Sequence, residues 1–246
     1  MKPVTIIGMG LSPEDLTARH LKIIEAADVL VGGQRLLDYF EDIPALKQAV
    51  DKNIASVVEF IKDRMNTQSV VVLASGDPLF FGIGSILVNA IGAENVAVYP
   101  NISSVAAAFA RIKEPWSRVQ VISLHGRKND NAIVKALDNG NTVAVLTDPT
   151  HNPAWIAKKL IAQDFVHVGI CVLEALGTAT ERFGWYHPGQ VSEMAFSEPN
   201  LVILKPGAGP QPLKKTALLG IPDHYFLHEK GLITKSEVRA VSLSQL

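Results

Sequence analysis

Cysteine is almost absent from this chain, which has a single one, Cys171, among 246 residues. One cysteine excludes an internal disulfide framework and a zinc site built from several thiolates. Cys171 lies inside the apolar run Val168-Gly169-Ile170-Cys171-Val172-Leu173, which predicts a buried structural thiol rather than a nucleophile. Metal-ligand spacing is also lacking among four of the histidines, so we predict no metal site. These are His20, His151, His167 and His187.

Long apolar runs and a net charge of one sign are missing too. No apolar run reaches the length of a membrane span, and the apolar stretch at the start is too short for a signal peptide. The formal charge is −1, from 23 basic and 24 acidic residues, so no global basic field points to nucleic acid. Hydrophobic residues make up 48% and charged residues 19%, as in ordinary globular proteins. We therefore expect a soluble cytoplasmic protein.

The first half of the chain alternates short β-branched runs with helical patterns. Strands are predicted at 4–7, 29–31, 70–74 and 96–98, and helices at 17–27, 53–65, 86–91 and 103–111. This alternation favours a mostly parallel sheet with helices on its faces. The composition shifts at residues 113–118, which we interpret as a linker that ends a first domain at 1–112.

The second half predicts a different kind of sheet. Strands are predicted at 119–123, 142–146, 167–173, 181–185 and 201–204, and helices at 131–137 and 154–162. Because no helix separates the last strands, we expect a mixed sheet with an antiparallel portion, in a second domain at 119–206. A Pro- and Gly-rich segment at 207–217 is predicted to be a second linker. Residues 218–246 are too few for a domain and are expected to be the start of one.

The most informative segment is Ser75-Gly76-Asp77-Pro78, which follows a predicted buried strand and precedes a helix. Glycine lets backbone approach a ligand closely, and the carboxyl ends of parallel strands open onto a crevice. A pyrophosphate would prefer bare backbone amides, so Asp77 favours a ligand with a hydroxyl, amine or sulfonium group. No lysine follows the glycines and Gly8-Met9-Gly10 lacks a third glycine, which excludes the phosphate-loop and dinucleotide fingerprints.

Four loops together resemble those of the tetrapyrrole methylase family, and the resemblance covers residues 2–206. They are Gly8-Met9-Gly10, Ser75-Gly76-Asp77-Pro78, Pro100-Asn101-Ile102-Ser103-Ser104 and Glu174-Ala175-Leu176-Gly177-Thr178. The resemblance implies two α/β/α domains with the active-site cleft between them, S-adenosylmethionine as cofactor, and a homodimer. The family's first loop usually reads Gly-x-Gly-Pro-Gly, whereas this chain has Leu11 and Ser12 after Gly10.

Two further segments resemble the C5-methylating branch of cobalamin biosynthesis. They are Val31-Gly32-Gly33-Gln34-Arg35-Leu36-Leu37 and Ser123-Leu124-His125-Gly126-Arg127. This branch implies methylation at C5 of a corrin precursor (a precorrin), either metal-free or cobalt-bound. Segments 220–226 and 234–239 resemble the start of the C15-methyltransferase and decarboxylase domain that is fused to the C5 domain in some members.

The resemblance also implies which residues form the site. Those expected to bind the cofactor are Gly8, Gly10, Ser75, Gly76, Asp77, Phe80, Ser103, Ser104, Leu146, Leu176 and Gly177. Arg35, His125 and Arg127 are expected to bind the substrate carboxylates, since arginine suits bidentate contacts. Catalysis is expected to be mainly positional, and His125 is the candidate for a proton relay because the intrinsic pKa of histidine lies near neutrality.

Several alternatives stay open at this point. Asp77-Pro78 alone is compatible with a simple turn, and Ser103 with a helix cap. At the level of function, the rivals are a methylase for another ring carbon and a non-catalytic tetrapyrrole-binding module. A dehydrogenase is disfavoured by the missing dinucleotide fingerprint.

Overall fold

The computed structural model describes residues 3–51, 53–124, 130–207 and 233–244. Contacts group the chain into two compact units, Met1–Pro206 and Gly207–Leu246. The first unit contains two five-stranded sheets. In the second unit, the described residues form one helix, α9 (Ser236–Ser244). None of the described helices is long and apolar enough to cross a membrane.

The first sheet is parallel throughout, with strand order β3-β2-β4-β1-β5. Its strands are β1 (Val4–Gly8), β2 (Val29–Gly32), β3 (Leu46–Ala49), β4 (Val70–Ala74) and β5 (Val96–Tyr99). Side chains alternate between the faces, so that Val70 and Val72 pack with one group of helices and Val71 and Leu73 with another. Both faces are therefore covered, as expected for a parallel sheet.

Four helices cover the first sheet. Helices α3 (Ile54–Arg64) and α4 (Ile83–Ile91) pack on one face, and α1 (Ala18–Glu25) and α2 (Gln34–Asp38) on the other. α1 begins after Thr17, whose Oγ1 accepts a hydrogen bond from the His20 backbone N–H at 3.3 Å. Pro13 begins a separate short 3₁₀ turn, and α1 starts after it.

The second sheet is mixed, with strand order β6-β7-β10-β8-β9. Its strands are β6 (Gln120–Ser123), β7 (Val143–Leu146), β8 (Gly169–Glu174), β9 (Arg182–Tyr186) and β10 (Asn200–Lys205). β6 and β7 are parallel, whereas β10 runs antiparallel to β7 and β8, and β9 antiparallel to β8. The expected fold class, a parallel and a mixed sheet in an α/β protein, is confirmed.

The helices of the second half cover both faces of this sheet. α6 (Asp130–Asp138), α7 (Pro153–Ala162) and α8 (Pro188–Val191) pack on one face. α5 (Ser104–Ile112) packs on the other, against a cluster that includes Cys171. Cys171 is fully buried, as predicted, and burial together with the charge of Glu114 raises the pKa of its thiol to about 12.

Several features differ from the expectations. The expectation that no helix separates the last strands was wrong, because α8 lies between β9 and β10. Its four residues are too few to give a helical pattern in the sequence. α2 and β3 were not predicted, because β3 has the polar residues Lys47 and Gln48 at its centre and no β-branched side chain. α4 begins at Ile83 rather than at residue 86. α5 follows the last strand of the first sheet but packs on the second, through Val105, Ala108 and Phe109 among others.

Candidate active site

The loops after β1 and β4 are joined through their backbones. Gly10 and Gly76 form an isolated antiparallel bridge, with Gly76 N–H donating to Gly10 O at 3.0 Å and Gly10 N–H to Gly76 O at 3.3 Å. Both residues have left-handed backbone, with φ of +66° and +61°. Glycine adopts this conformation without steric cost, so the sequence allows the two loops to close against each other.

Gly8 brings in the loop after β5. A Cβ atom at Gly8 would lie 2.5 Å from Gly76 O and 2.9 Å from Asn101 Cβ, which only glycine avoids. The Asn101 side-chain amide donates to Gly8 O at 2.9 Å and to Asp15 O at 3.2 Å. Three loops that are far apart in the sequence therefore meet around one glycine.

The loop after β8 contacts the loop after β1. Gly177 has a φ of +79°, and the position that its Cβ would take is filled by Leu11. The Gly177 N–H donates to Glu181 Oε2 at 2.7 Å, and Glu181 also forms an ion pair with Arg111 of α5. The hydrogen bond from Arg111 and that from Gly177 hold the pKa of Glu181 below its ordinary value, against the effect of burial. Leu11, the departure from the family pattern, is thus a packing residue between two loops.

Asp77 and the aromatic pair that follows shape the loop after β4. Asp77 Oδ1 accepts the Leu79 backbone N–H at 2.9 Å, which makes the turn expected at this position. Asp77 Oδ2 has no hydrogen-bond partner among the described residues. The rings of Phe80 and Phe81 pack edge to face with centroids 5.0 Å apart.

A cleft of about 730 Å³ opens at the ends of strands from both sheets. Its lining is Gly33, Gln34, Arg35, Leu36, Val50, Leu73, Ala74, Ser75, Phe80, Phe81, Gly82, Ile83, Ser104, Ser123, Leu146, Thr147 and Pro199. Apolar side chains from both sheets form most of the walls. Of the described residues that line it, only Arg35 is charged and none is acidic. The cleft therefore matches a large, mainly apolar ligand that carries negative charge.

The structure divides the sequence-predicted residues into two groups. Ser75, Phe80, Ser104, Leu146 and Arg35 line the cleft. The others are not among its lining residues and belong to the loops described above or to the start of α5. They are Gly8, Gly10, Gly76, Asp77, Ser103, Leu176 and Gly177. Ser103 accepts the Ala106 backbone N–H at 3.1 Å and so caps α5. His125 and Arg127 lie outside the described residues.

Sequence reasoning missed several cleft residues. Thr147 and Pro199 stand at the end of β7 and just before β10, and neither belongs to a recognisable motif. Ser123 ends β6 directly before the Leu124-His125-Gly126-Arg127 segment, so a signal was present there. Gln34 adjoins Arg35 in the other branch-specific segment.

A buried carboxylate supports the wall that contains Pro199. Glu174 is 4% exposed and accepts two hydrogen bonds from the Arg182 guanidinium, both at 2.7 Å, and one from the Ser197 backbone N–H at 2.5 Å. Burial would raise the pKa of Glu174, but these hydrogen bonds outweigh it and hold the pKa below its ordinary value. The Ala175 N–H donates to Pro199 O at 2.9 Å, which ties the wall to β8.

Comparison with known proteins identifies a family and several relatives of this chain. Residues 3–185 match the model of the family described as tetrapyrrole (corrin/porphyrin) methylases. The cobalt-precorrin-7 C(5)-methyltransferase of Salmonella typhimurium is 34% identical over 202 residues, which cover 82% of this chain and 98% of that protein. The precorrin-6Y C(5,15)-methyltransferase (decarboxylating) of Sinorhizobium sp is 34% identical over 99% of this chain, but only 59% of its own length is matched.

A solved structure agrees with the fold. The uroporphyrin-III C-methyl transferase of Thermus thermophilus, complexed with S-adenyl homocysteine, aligns with a TM-score of 0.65 at 23% identity. The alignment covers 82% of this chain and 97% of that one. The resemblance seen in the four loops is confirmed, and the chain belongs to the tetrapyrrole methylase family of methyltransferases.

Proposed function

We propose that this protein transfers a methyl group from S-adenosylmethionine to C5 of a corrin precursor of the precorrin-6Y or cobalt-precorrin-7 type. Two relatives that are 34% identical to it over the aligned residues are named as a C(5)- and a C(5,15)-methyltransferase of such precursors. The Salmonella relative is matched over 98% of its length. The proposal therefore covers the complete C5-methyltransferase activity for which that relative is named.

The observation that carries the proposal is the composition of the cleft. Its described lining combines broad apolar walls with one cation, Arg35, and no carboxylate. A tetrapyrrole is a large apolar ring with carboxylate side chains, so both parts of the lining have a counterpart in it. Arginine can hold a carboxylate through two parallel hydrogen bonds. We assign substrate binding to Arg35, and also to His125 and Arg127, on the resemblance.

Cleft residues from both sheets and from the start of α5 fit the cofactor. Ser75 and Ser104 offer hydroxyl groups, and Phe80 and Leu146 offer apolar surface in the same cleft. Behind them, Gly8, Gly10 and Gly76 let the loops lie close together, and Asp77 keeps one carboxylate oxygen for a polar group. Ser103, Leu176 and Gly177 complete the assignment from the start of α5 and the loop after β8. When bound, S-adenosylmethionine supplies an electrophilic methyl group.

The protein's own contribution is alignment. A nucleophilic ring carbon needs no covalent intermediate with the enzyme, so holding the reactants in line and excluding water is enough to accelerate the transfer. The apolar walls exclude water, and Arg35 fixes the ring by its periphery. His125 is retained as the candidate proton relay, a role that its near-neutral intrinsic pKa suits.

The first test is calorimetric titration with S-adenosylhomocysteine, with NAD as a control ligand. We expect binding of the former alone. Labelled methyl transfer to a precorrin followed by NMR of the product then identifies the methylated carbon. Label at C5 supports the proposal, whereas label at another carbon would assign the chain to a different branch of the family.

Asp77→Asn provides a residue-level test. Its counterpart Asp63→Asn removes an exposed carboxylate from α3 that makes no described hydrogen bond. If Asp77 holds a polar group of the cofactor, the first variant weakens S-adenosylhomocysteine binding by about 1–3 kcal/mol, and the second leaves it unchanged. Equal affinities in the two variants would remove Asp77 from the site.

Further proposals concern the assembly. We propose that the protein is a cytoplasmic homodimer. Its domains are assigned to residues 1–112 and 119–206. Residues 218–246 are assigned to the start of the C15-methylating, decarboxylating region of the fused relatives. The homodimer is supported by β9, which pairs only with β8 among the described strands and leaves Phe183 and Trp185 46% and 44% exposed. Open apolar edge strands are uncommon in monomers. Sedimentation velocity should show a dimer, and Trp185→Lys should weaken it if β9 lies in the interface.

A further inference from the structure

Ser123 is a buried polar residue that the assignment above does not use. Its exposed fraction is 5%, and it is the last residue of β6, where it lines the cleft. Among the described residues, its hydroxyl has no hydrogen-bond partner. Buried polar groups are nearly always paired, and each exception needs an explanation, such as a ligand that completes it.

The neighbours of Ser123 make the hydroxyl still more unusual. Strand register places Ser123 in one row across the second sheet with Leu146, Leu201, Leu173 and Phe183. Leu146, Leu173 and Leu201 belong to the apolar cluster beneath α5. A row of this kind ordinarily continues with an apolar side chain. The buried hydroxyl of Ser123 therefore calls for a hydrogen-bond partner, and the cleft that it lines is a place where one can bind.

The charge of the cleft indicates what that ligand group is. Without an acidic residue in its described lining, the cleft has no carboxylate that would compete for the Ser123 hydroxyl hydrogen. Arg35, the one cation among the described lining residues, belongs to the first-sheet wall, and Ser123 to the wall made by the second sheet. A ring with several carboxylates around its rim can contact both walls at once.

We propose that the Ser123 hydroxyl donates a hydrogen bond to a carboxylate of the tetrapyrrole substrate and so fixes the rotation of the ring in the cleft. This inference rests on the proposed function. It adds to that function a residue of the second-sheet wall that determines how the substrate is oriented.

The test compares Ser123→Ala with Ser123→Thr, which restores a hydroxyl at a strand position, and with Ser85→Ala, an exposed serine of α4, as control. The probe is uroporphyrin III, a tetrapyrrole with eight carboxylates, titrated by fluorescence. We expect Ser123→Ala to raise its dissociation constant roughly tenfold, Ser123→Thr to recover most of the affinity, and Ser85→Ala to change nothing. S-adenosylhomocysteine affinity should be the same in all four proteins.

Thermal unfolding without ligand gives a second readout. Because an unpaired buried hydroxyl costs stability, Ser123→Ala should unfold at the same temperature as the wild type or higher. A lower unfolding temperature with unchanged uroporphyrin binding would show that a water completes the hydroxyl, and would overturn the inference. Weakened S-adenosylhomocysteine binding would overturn it in favour of a cofactor contact. If the wild type does not bind uroporphyrin at all, the substrate class of the proposed function fails and the inference fails with it.

Discussion

The two walls of the cleft are built in different ways. On the first-sheet wall, the loops meet through backbone atoms, as in the Gly10–Gly76 bridge and the close approach of Gly8 to Gly76 O. On the second-sheet wall, side chains hold the structure, with Glu174 bonded to Arg182 and Ser197. The backbone contact at Gly8 leaves no room for an added atom, whereas contacts made by charged side chains depend on the protonation state of their members.

The largest effect is expected from a methyl group added to the first wall. Gly8→Ala places a Cβ 2.5 Å from Gly76 O, a backbone atom that has little room to move. We expect a loss of about 2–3 kcal/mol of unfolding free energy, measured by urea denaturation, together with weakened S-adenosylhomocysteine binding.

Gly33→Ala is the matched control for that variant. Gly33 also follows a strand of the first sheet, but a Cβ there would meet no atom within 4 Å. Its stability should remain within about 0.5 kcal/mol of the wild type. Equal losses in the two variants would mean that the first wall is not closed by the contact of Gly8 with Gly76.

An intermediate effect is expected on the second wall, and it should depend on pH. Glu174→Gln removes the negative charge that accepts hydrogen bonds from Arg182 and from the Ser197 backbone N–H. We expect the variant to lose about 1–2 kcal/mol of unfolding free energy at neutral pH. The folded-state pKa of Glu174 is lowered from about 4.5, so its contribution is present above that pH and is lost as the pH falls below it.

Urea denaturation at a series of pH values from 7 to 3 checks this expectation. The variant should lose less stability than the wild type as the pH falls below about 4.5. Glu41→Gln, at an exposed carboxylate with no described side-chain partner, should follow the wild-type curve. If the unfolding free energy of all three proteins fell equally with falling pH, Glu174 would not be a pH-dependent support of the wall.

The smallest effect is expected at a partly exposed ion pair of the second-sheet side. Arg111→Gln removes the ion pair with Glu181, which anchors the loop that carries Gly177. The Arg111 side chain is 41% exposed, so solvent screening limits its contribution to about 0.5 kcal/mol of stability. The difference in unfolding free energy between the wild type and Arg111→Gln should shrink in 1 M salt. A difference that stays the same would show that solvent does not screen this ion pair.

The difference between the walls also explains how much could be predicted from the sequence. Gly10 and Gly76 are recognisable because their left-handed backbone favours glycine, and Gly8 because the loops approach it too closely for a side chain. Thr147 and Pro199 escaped notice because their place in the cleft depends on the pairing of β7 with β10, which are far apart in the chain. No local pattern encodes such a pairing.

The same reasoning applies to the fold. The alternation of strands and helices predicted both sheets, since apolar periodicity is a local property. β3 was missed because an edge strand needs few apolar residues, and its pairing with β2 supplies the hydrogen bonds instead. The packing of α5 on the second sheet depends on which apolar surface is nearest after folding, and a sequence window does not contain that information.

The lone cysteine is a built-in probe for the local unfolding of the second sheet. Cys171 lies in β8 with no exposed surface and a thiol pKa of about 12, so a thiol reagent in neutral solution finds no thiolate while the second sheet is intact. The 246-residue chain has no other cysteine to give a background signal. The rate at which such a reagent labels the protein therefore measures how often that sheet opens. The same measurement, repeated with substrate present, would show how strongly a ligand in the cleft slows the opening.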